Sequence, residues 1–371
     1  MTQIENQPLL QPLQKGALDL KNRMVMAPMT RSRANNPENA ATDLVAEYYA
    51  QRASAGLIIS EGTPVSKQAV GYINVPGIYT QAQVEGWKLV TSAVHANGGK
   101  IFAQLWHVGR MSHPDFHNGE LPVAPSAINP NDKSYTPQGF KDTVTPRALE
   151  VPEIKAIVQD FRKAAANAVE AGFDGVEIHA SNGYLLHQFF SSSANTRTDA
   201  YGGSAENKAR ILFEILDAVK EVLDLSKVGV RLNPSLHGGF GIELSQADPE
   251  TFEYIVQKLN DYNLAYLHLT EAGAAARALP FAIKEVAQHF RKIYQGTLIT
   301  NGGYTRESGN KVIEAGYADA VAFGVPFIAN PDLVERFAQN TNLNQPDPNT
   351  FYSNTAEKGY TDYPTLAQVT A

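Results

Sequence analysis

Cysteine is absent from the 371 residues of this chain. That absence excludes structural disulfides, thiolate metal sites, iron–sulfur clusters and a cysteine nucleophile together. Long apolar runs are absent as well: no eighteen consecutive apolar residues occur, so nothing in the sequence reads as a membrane span. Basic residues are in deficit, 31 Lys and Arg against 38 Asp and Glu. The resulting charge of −7 argues against nucleic acid or an anionic membrane as partner. The opening MTQIENQPLLQPLQKG has neither the basic nor the apolar segment of a signal peptide, so a cytoplasmic location is expected. The 9 histidines include no HxH or HExxH spacing, and no metal site is expected.

What is present suits a large core: 43% hydrophobic residues, punctuated by 28 glycines and 21 prolines. Short apolar runs recur as RMVMAPM from Arg23, GLIISEG from Gly56, KIFAQL from Lys100 and GVEIHA from Gly175. VGVRLN from Val228, YLHLT from Tyr266, TLITNGG from Thr297 and AVAFGV from Ala320 follow. Each is too short for a globular helix and reads as a strand that is apolar on both faces and covered on both. Amphipathic stretches lie between them. EIKAIVQDFRKAAANAVEAG from Glu153 sets Ile154, Ile157, Val158, Phe161 and Ala165 on one face and stops at Gly172, a suitable left-handed cap. NKARILFEILDAVKEVLD from Asn207 repeats the pattern, and PETFEYIVQKLNDYN places Pro249 behind Asp248, read as an N-cap.

Strand followed by helix, eight times, predicts a single (β/α)8 TIM barrel over residues 1–371, of α/β class. An open doubly wound sheet is the alternative. PLQKGALDLKN, within residues 8–22, reads as an N-terminal hairpin plugging the barrel bottom. Residues 110–150 form a long Pro-rich loop after the third strand, of the kind that makes lids, and residues 340–371 a C-terminal segment.

Barrel enzymes carry their sites at the carboxyl ends of the strands. In strand order those ends bear Pro28, Met29 and Thr30; Glu61 and Gly62; Gln104 and Trp106; then His179, Asn182 and Tyr184. Arg231, Thr270, the set Asn301, Gly302 and Gly303, and the pair Phe323 and Gly324 complete the ring. Glycine loops after the last two strands suit phosphate, although tight turns read the same way. Arg231 is either a structural partner of Glu61 or Glu177, or a fixed charge beside a cofactor. Gln104 and Thr30 suit the edge of a planar heterocycle. His179 and Asn182 can converge on one oxygen and stabilise negative charge there, with Tyr184 supplying a proton; a satisfied core histidine is the bland alternative. Two rival functions remain: a barrel aldolase or isomerase acting on a phosphorylated substrate, for which Glu61 and Glu271 are the inviting acids, and a flavin-binding module without turnover.

Five segments carry a resemblance. APMTRSRA from Ala27, QLWHVGR from Gln104, IHASNGYLLHQFFSSSANTRTDAYGGSAENKAR from Ile178, VAFGVPFIANPDL from Val321 and AEKGYTDYP near the C-terminus are similar to the Old Yellow Enzyme family of FMN-dependent ene-reductases. The resemblance runs from Pro8 to Leu366, and Thr30 points to the yeast- and enterobacterial-like branch. It implies bound FMN, with NADPH or NADH as reductant and an activated alkene (an α,β-unsaturated carbonyl compound, or by extension a nitro compound) as substrate. By the same resemblance, His179 and Asn182 hold the substrate oxygen and Tyr184 gives the proton. Thr30, Gln104 and Arg231 contact the flavin ring. Ala27, Pro28, Met29, Gly62, Asn301, Gly302, Gly303, Phe323, Gly324 and Val325 line the cofactor, while Tyr72, Trp106 and Tyr352 shape the substrate pocket. Monomer or homodimer is expected. One departure stands out: the family usually reads FGR after the eighth strand, with the arginine on the FMN phosphate, and here the motif is FGV with Val325.

Overall fold

A tight hairpin opens the fold: β1 (Leu13–Lys15) and β2 (Leu18–Leu20) pair antiparallel with Leu13 opposite Leu20. The computed structural model describes residues 7–352 and 356–370; the opening residues 1–6, read above for a targeting segment, lie outside them. Leu13, Leu18 and Leu20 pack against Val25, Leu57, Phe102, Tyr266 and Ala320, residues from the amino ends of barrel strands. The hairpin therefore closes the bottom of the barrel, as its apolar alternation implied.

The barrel follows in chain order. β3 (Met24–Met26) leads to α1 (Asp43–Ala50), β4 (Leu57–Pro64) to α2 (Gln81–Ala96), and β5 (Ile101–Trp106) to a long excursion. That excursion is not bare loop. It holds β6 (Val123–Ala124) paired with β9 (Arg147–Ala148), and between them the hairpin of β7 (Lys133–Thr136) and β8 (Gly139–Asp142). Then come α3 (Val151–Glu170), β10 (Gly175–Ala180), α4 (Leu185–Phe190), α5 (Ala205–Val219), β11 (Val228–Leu232) and α6 (Asp248–Leu259). β12 (Tyr266–Thr270), α7 (Ala274–Arg277), α8 (Val286–Arg291), β13 (Leu298–Asn301), α9 (Arg306–Glu314), β14 (Ala320–Phe323), α10 (Val325–Ala329) and α11 (Leu333–Gln339) complete the circuit. The eight parallel strands close as β10-β11-β12-β13-β14-β3-β4-β5. The doubly wound alternative is thereby excluded. None of the helices among the described residues is long and apolar enough to cross a membrane.

Helix ends follow local chemistry. Gly172 takes φ +84 just past α3, as a left-handed cap requires. Asp248 is not the N-cap of α6; Ala247 is. The Asp248 carboxylate instead accepts bonds from Ser245 N–H, Ser192 N–H and Ser192 Oγ, tying α6 to the segment after α4.

One expectation needs correction. The strands are not apolar on both faces at their carboxyl ends. Val176, Ile178 and Ala180 of β10 face the helical layer, so by strict alternation Glu177 and His179 face the barrel interior. In register, Glu177 lies between Gln104 and Gly229, His179 beside Arg231, and Arg231 beside His268. The upper interior is a polar layer.

The C-terminal segment is held by arginines that reach its backbone carbonyls. Arg31 donates to Phe351 O and Gly359 O, Arg33 to Thr350 O, and Arg52 to Phe327 O, Ile328 O and Tyr360 O. Tyr360 stacks on Tyr48 at 4.0 Å, with the Arg31 and Arg33 guanidinium groups over its ring. Planar guanidinium forks suit several backbone carbonyls at once, which is how residues 348–352 come to stand at the barrel mouth.

Candidate active site

Beyond β10 the chain turns sharply. Asn182 sits at φ +53, a left-handed conformation that asparagine tolerates better than most residues. Gly183 N–H donates to His187 Nδ1 at 3.3 Å, and Gln188 Nε2 donates to Gly183 O at 2.8 Å. This brace sets Tyr184 at the start of α4.

His179 is 4% exposed. Its Nδ1 accepts from Ser181 N–H at 3.4 Å, beside the Ser181 hydroxyl at 3.3 Å. Burial, then the nearby Arg231 charge, hold its pKa well below the ordinary histidine value. The ring is therefore neutral, with its proton on Nε2 as a donor. Asn182 Oδ1 accepts from Asn233 Nδ2 at 2.9 Å, which leaves the Asn182 NH2 as the group turned to the cavity. Tyr184 lies 5.1 Å from His179 and 4.8 Å from Trp106 between ring centroids, edge-on to both. Burial raises its pKa well above the usual tyrosine value, with Tyr72 adding to the shift, so the phenol keeps its proton.

These groups floor a cavity of about 680 Å³. Pro28, Met29, Thr30, Gly62, Gln104, Arg231 and Val325 line it, as do Tyr72, Trp106 and Tyr352. Ala27, Asn301, Gly302, Gly303, Phe323 and Gly324 are not among its walls. Ala27 is buried and its N–H is spent on Phe323 O. Phe323 packs edge-on against Phe337, and Asn301 receives Arg231 Nη2 at 3.2 Å. Gly302 and Gly324 follow the paired strands β13 and β14. Sequence reasoning missed Tyr135 and Phe140 on β7 and β8, Phe240, and Phe351 among the walls. The turn-forming run TPQG between Tyr135 and Phe140 was the available signal for that hairpin.

Neither proposed partner forms an ion pair with Arg231. Glu177 binds Gln104 Nε2 at 2.7 Å and His268 Nδ1 at 2.8 Å instead. Glu61 accepts from Arg31 N–H at 3.2 Å and lies near the Tyr49 hydroxyl. Arg231 Nε is buried without a partner. With Nη2 bonded to Asn301, Nε is left to meet a ligand at the cavity wall. Glu61 and Glu271 lie outside the cavity walls, and the Glu271 carboxylate is occupied by Val286 N–H and Ala287 N–H. That removes both bases from the aldolase or isomerase reading. Among the described residues no group of three His, Asp or Glu side chains is placed to hold a metal ion.

Buried neutral histidines make stability pH-dependent. Burial lowers His107 to about 3 and His187 to about 4, whereas burial raises Glu61 to about 7. A depressed histidine contributes fully above its unfolded value near 6.5 and loses that contribution as the pH falls towards and through its folded value. Glu61 opposes this, but it is one group against at least two. Thermal melts should therefore show stability falling from pH 7 to pH 5, by about 1.4 kcal/mol per pH unit for each net proton. A flat or rising profile across that window would contradict the buried-neutral assignment.

A closed barrel with a polar floor, aromatic walls and an arginine whose Nε has no partner defines a TIM-barrel enzyme that binds a cofactor and a small substrate at the carboxyl ends of its strands. Residues 8–344 match the NADH:flavin oxidoreductase / NADH oxidase family. The chain is 46% identical over 367 residues to 12-oxophytodienoate reductase 1 of Oryza sativa subsp. japonica, covering 98% of this chain and 94% of that one. Morphinone reductase superposes with a TM-score of 0.91 at 46% identity, covering 100% of this chain and 99% of that one. The Old Yellow Enzyme homologue from Zymomonas mobilis gives 0.90 at 42% identity, covering 96% and 99%. The chain belongs to this family, the Old Yellow Enzyme family. It is an FMN-dependent, NAD(P)H-consuming oxidoreductase that reduces activated C=C bonds.

The residues present fit FMN. The cavity has room for a planar heterocycle, and Gln104 is pinned through its Nε2 so that its carbonyl oxygen remains available. Arg231 Nε lacks a partner at the same wall. Gly302 takes φ +141, and a Cβ there would meet the Glu271 Cβ at 2.7 Å, so only glycine allows this turn.

Proposed function

We propose that the substrate is an α,β-unsaturated carbonyl compound bound with its oxygen between His179 and Asn182 and its α-carbon facing Tyr184. The observation that carries this reading is convergence. A neutral imidazole N–H, a carboxamide NH2 locked by Asn233 and a protonated phenol all line one cavity.

FMN, when bound, supplies the hydride that NAD(P)H provides. Thr30, Gln104 and Arg231 would hold its ring, with Pro28, Met29 and Gly62 beside it and Gly302, Gly303 and Gly324 near its phosphate. The chain's own side chains do the rest. His179 and Asn182 donate to the substrate oxygen, where negative charge grows as the β-carbon is attacked; such preorganised donors stabilise that charge without reorganising. Tyr184 holds the proton destined for the α-carbon. Trp106, Tyr72 and Phe240 exclude water and press a flat substrate into place. The same donor pair suits a nitro group. The absence of cysteine and the acidic balance suit a cytoplasmic enzyme of a small neutral substrate, as monomer or homodimer. A flavin module without turnover has no use for so complete a donor set.

The test is an anaerobic visible spectrum of protein reconstituted with FMN. NADPH should bleach the yellow band, and 2-cyclohexenone should restore it. A bleached protein that never recovers with enones overturns the reading.

Val325 bears on cofactor affinity. It opens α10, lines the cavity and is 46% exposed, with no charge to offer a phosphate. A charge-assisted contact is worth about 1.5–3 kcal/mol, so Val325→Arg should tighten FMN binding about 10- to 150-fold. Fluorescence titration of the apoprotein measures this; an unchanged Kd removes residue 325 from the phosphate site.

A further inference from the structure

Glu177 is a buried carboxylate that the reaction above leaves unused, and it stands outside the cavity walls. Both of its oxygens are engaged. Oε1 accepts from Gln104 Nε2 at 2.7 Å and Oε2 from His268 Nδ1 at 2.8 Å. A carboxylate accepts and cannot donate, so the direction of both bonds is fixed and His268 carries its proton on Nδ1.

His268 does not cancel this charge. Its Nε2 is buried without a hydrogen-bond partner, and a second N–H there would be an unsatisfied buried donor. Burial holds its pKa below the ordinary histidine value against the pull of Glu177, with Arg231 adding to the fall. The ring is neutral. Tyr266, from the same strand, keeps its proton because burial and then Glu177 oppose its ionisation. One net negative charge therefore lies inside the barrel, behind the wall that Gln104 and Arg231 form. Arg231 and Glu177 steady each other's charge without meeting as an ion pair.

We propose that Glu177 sets the redox poise of the cofactor: its buried charge offsets that of Arg231 and holds the reduction potential of bound FMN below the value Arg231 alone would give. This rests on the placement of the flavin ring against Gln104 and Arg231.

The sign follows from charge. Two-electron reduction with uptake of one proton leaves a negative charge on the flavin ring. A fixed cation beside the ring favours that charge, and a fixed anion opposes it. Arg231 is at the cavity wall and Glu177 one side chain behind it, so the cation dominates and the carboxylate subtracts. A lower potential makes the reduced flavin a stronger hydride donor to the alkene.

Anaerobic titration of the FMN-loaded protein against a reference dye reads the potential directly. Glu177→Gln keeps the size of the side chain and removes its charge. It should move the ratio of reduced to oxidised flavin about tenfold towards reduced at a given poise, an upward shift of about 30 mV for a two-electron couple. Glu177→Asp keeps the charge and should stay near the parent value, whereas Arg231→Gln should move the potential down. A Glu177→Gln potential at or below the parent's, beside a lowered Arg231→Gln, overturns the inference alone. Equal rises in Glu177→Gln and Glu177→Asp also overturn it, because packing rather than charge would then be responsible. If neither Glu177→Gln nor Arg231→Gln moves the potential, the ring placement falls as well. His268→Asn tests the same charge should Glu177→Gln fail to fold. Its amide can still donate to the carboxylate, so the potential should hold. A fall of about 30 mV in that variant would reveal a cationic His268 and a cancelled Glu177 charge, and overturns the inference.

Discussion

His179→Ala should lower enone turnover about 10²- to 10³-fold, the usual cost of removing one donor from a site where negative charge develops on oxygen. Its proton is committed by geometry: Nδ1 is the acceptor for Ser181, so Nε2 is the donor. The register places it beside Arg231, whose charge and the surrounding burial oppose protonation of the ring. A neutral donor should work without titrating across neutrality. The affinity for 4-chlorophenol, which offers an oxygen to the same donors, should therefore fall in His179→Ala, and in the parent enzyme it should show no step near pH 6.5. His179→Gln should recover part of the loss, since a carboxamide can donate from a similar position. Unchanged phenol affinity in His179→Ala would leave the ring as a packed core histidine.

Much of this site was legible because a barrel converts sequence order into spatial neighbourhood. Once GVEIHA and VGVRLN are strands, their ends must lie side by side, and His179 and Arg231 meet without further information. The hairpin plug was legible for a similar reason, since PLQKGALDLKN can bury its leucines only against the barrel bottom. What stayed hidden depends on register and on distant chain. Glu177 looked like any strand residue until the β5 and β12 pairings put Gln104 and His268 within bonding distance of its carboxylate. Asn233 holds the Asn182 amide from 51 residues away, across a strand boundary that fixes no side-chain direction. The walls from β7, β8 and the C-terminal segment were equally obscure. The C-terminal walls are set by Arg31, Arg33 and Arg52 reaching backbone carbonyls, contacts that leave no pattern in the side chains they hold. The motifs that give the family resemblance cover the floor of the site well and its roof poorly.

Tyr184→Phe should slow enone-driven recovery of the yellow band about 10²- to 10⁴-fold, the range for losing a positioned general acid, while leaving NADPH bleaching unchanged. The phenylalanine ring can keep the edge-on contact with Trp106 at 4.8 Å and the packing against Phe240 at 5.4 Å, so the cavity keeps its shape. Only the hydroxyl is lost, and with it the proton that burial holds on Tyr184 at neutral pH. Phenol affinity separates this variant from the first. On the proposed reading His179→Ala removes a donor to the ligand oxygen and should weaken phenols, whereas Tyr184→Phe removes a proton meant for carbon and should not. If both variants weaken phenols equally, Tyr184 is a wall of the oxygen site and the α-carbon takes its proton from water. If Tyr184→Phe alone preserves phenol binding yet stalls recovery, the phenol and the imidazole have divided the reaction between carbon and oxygen.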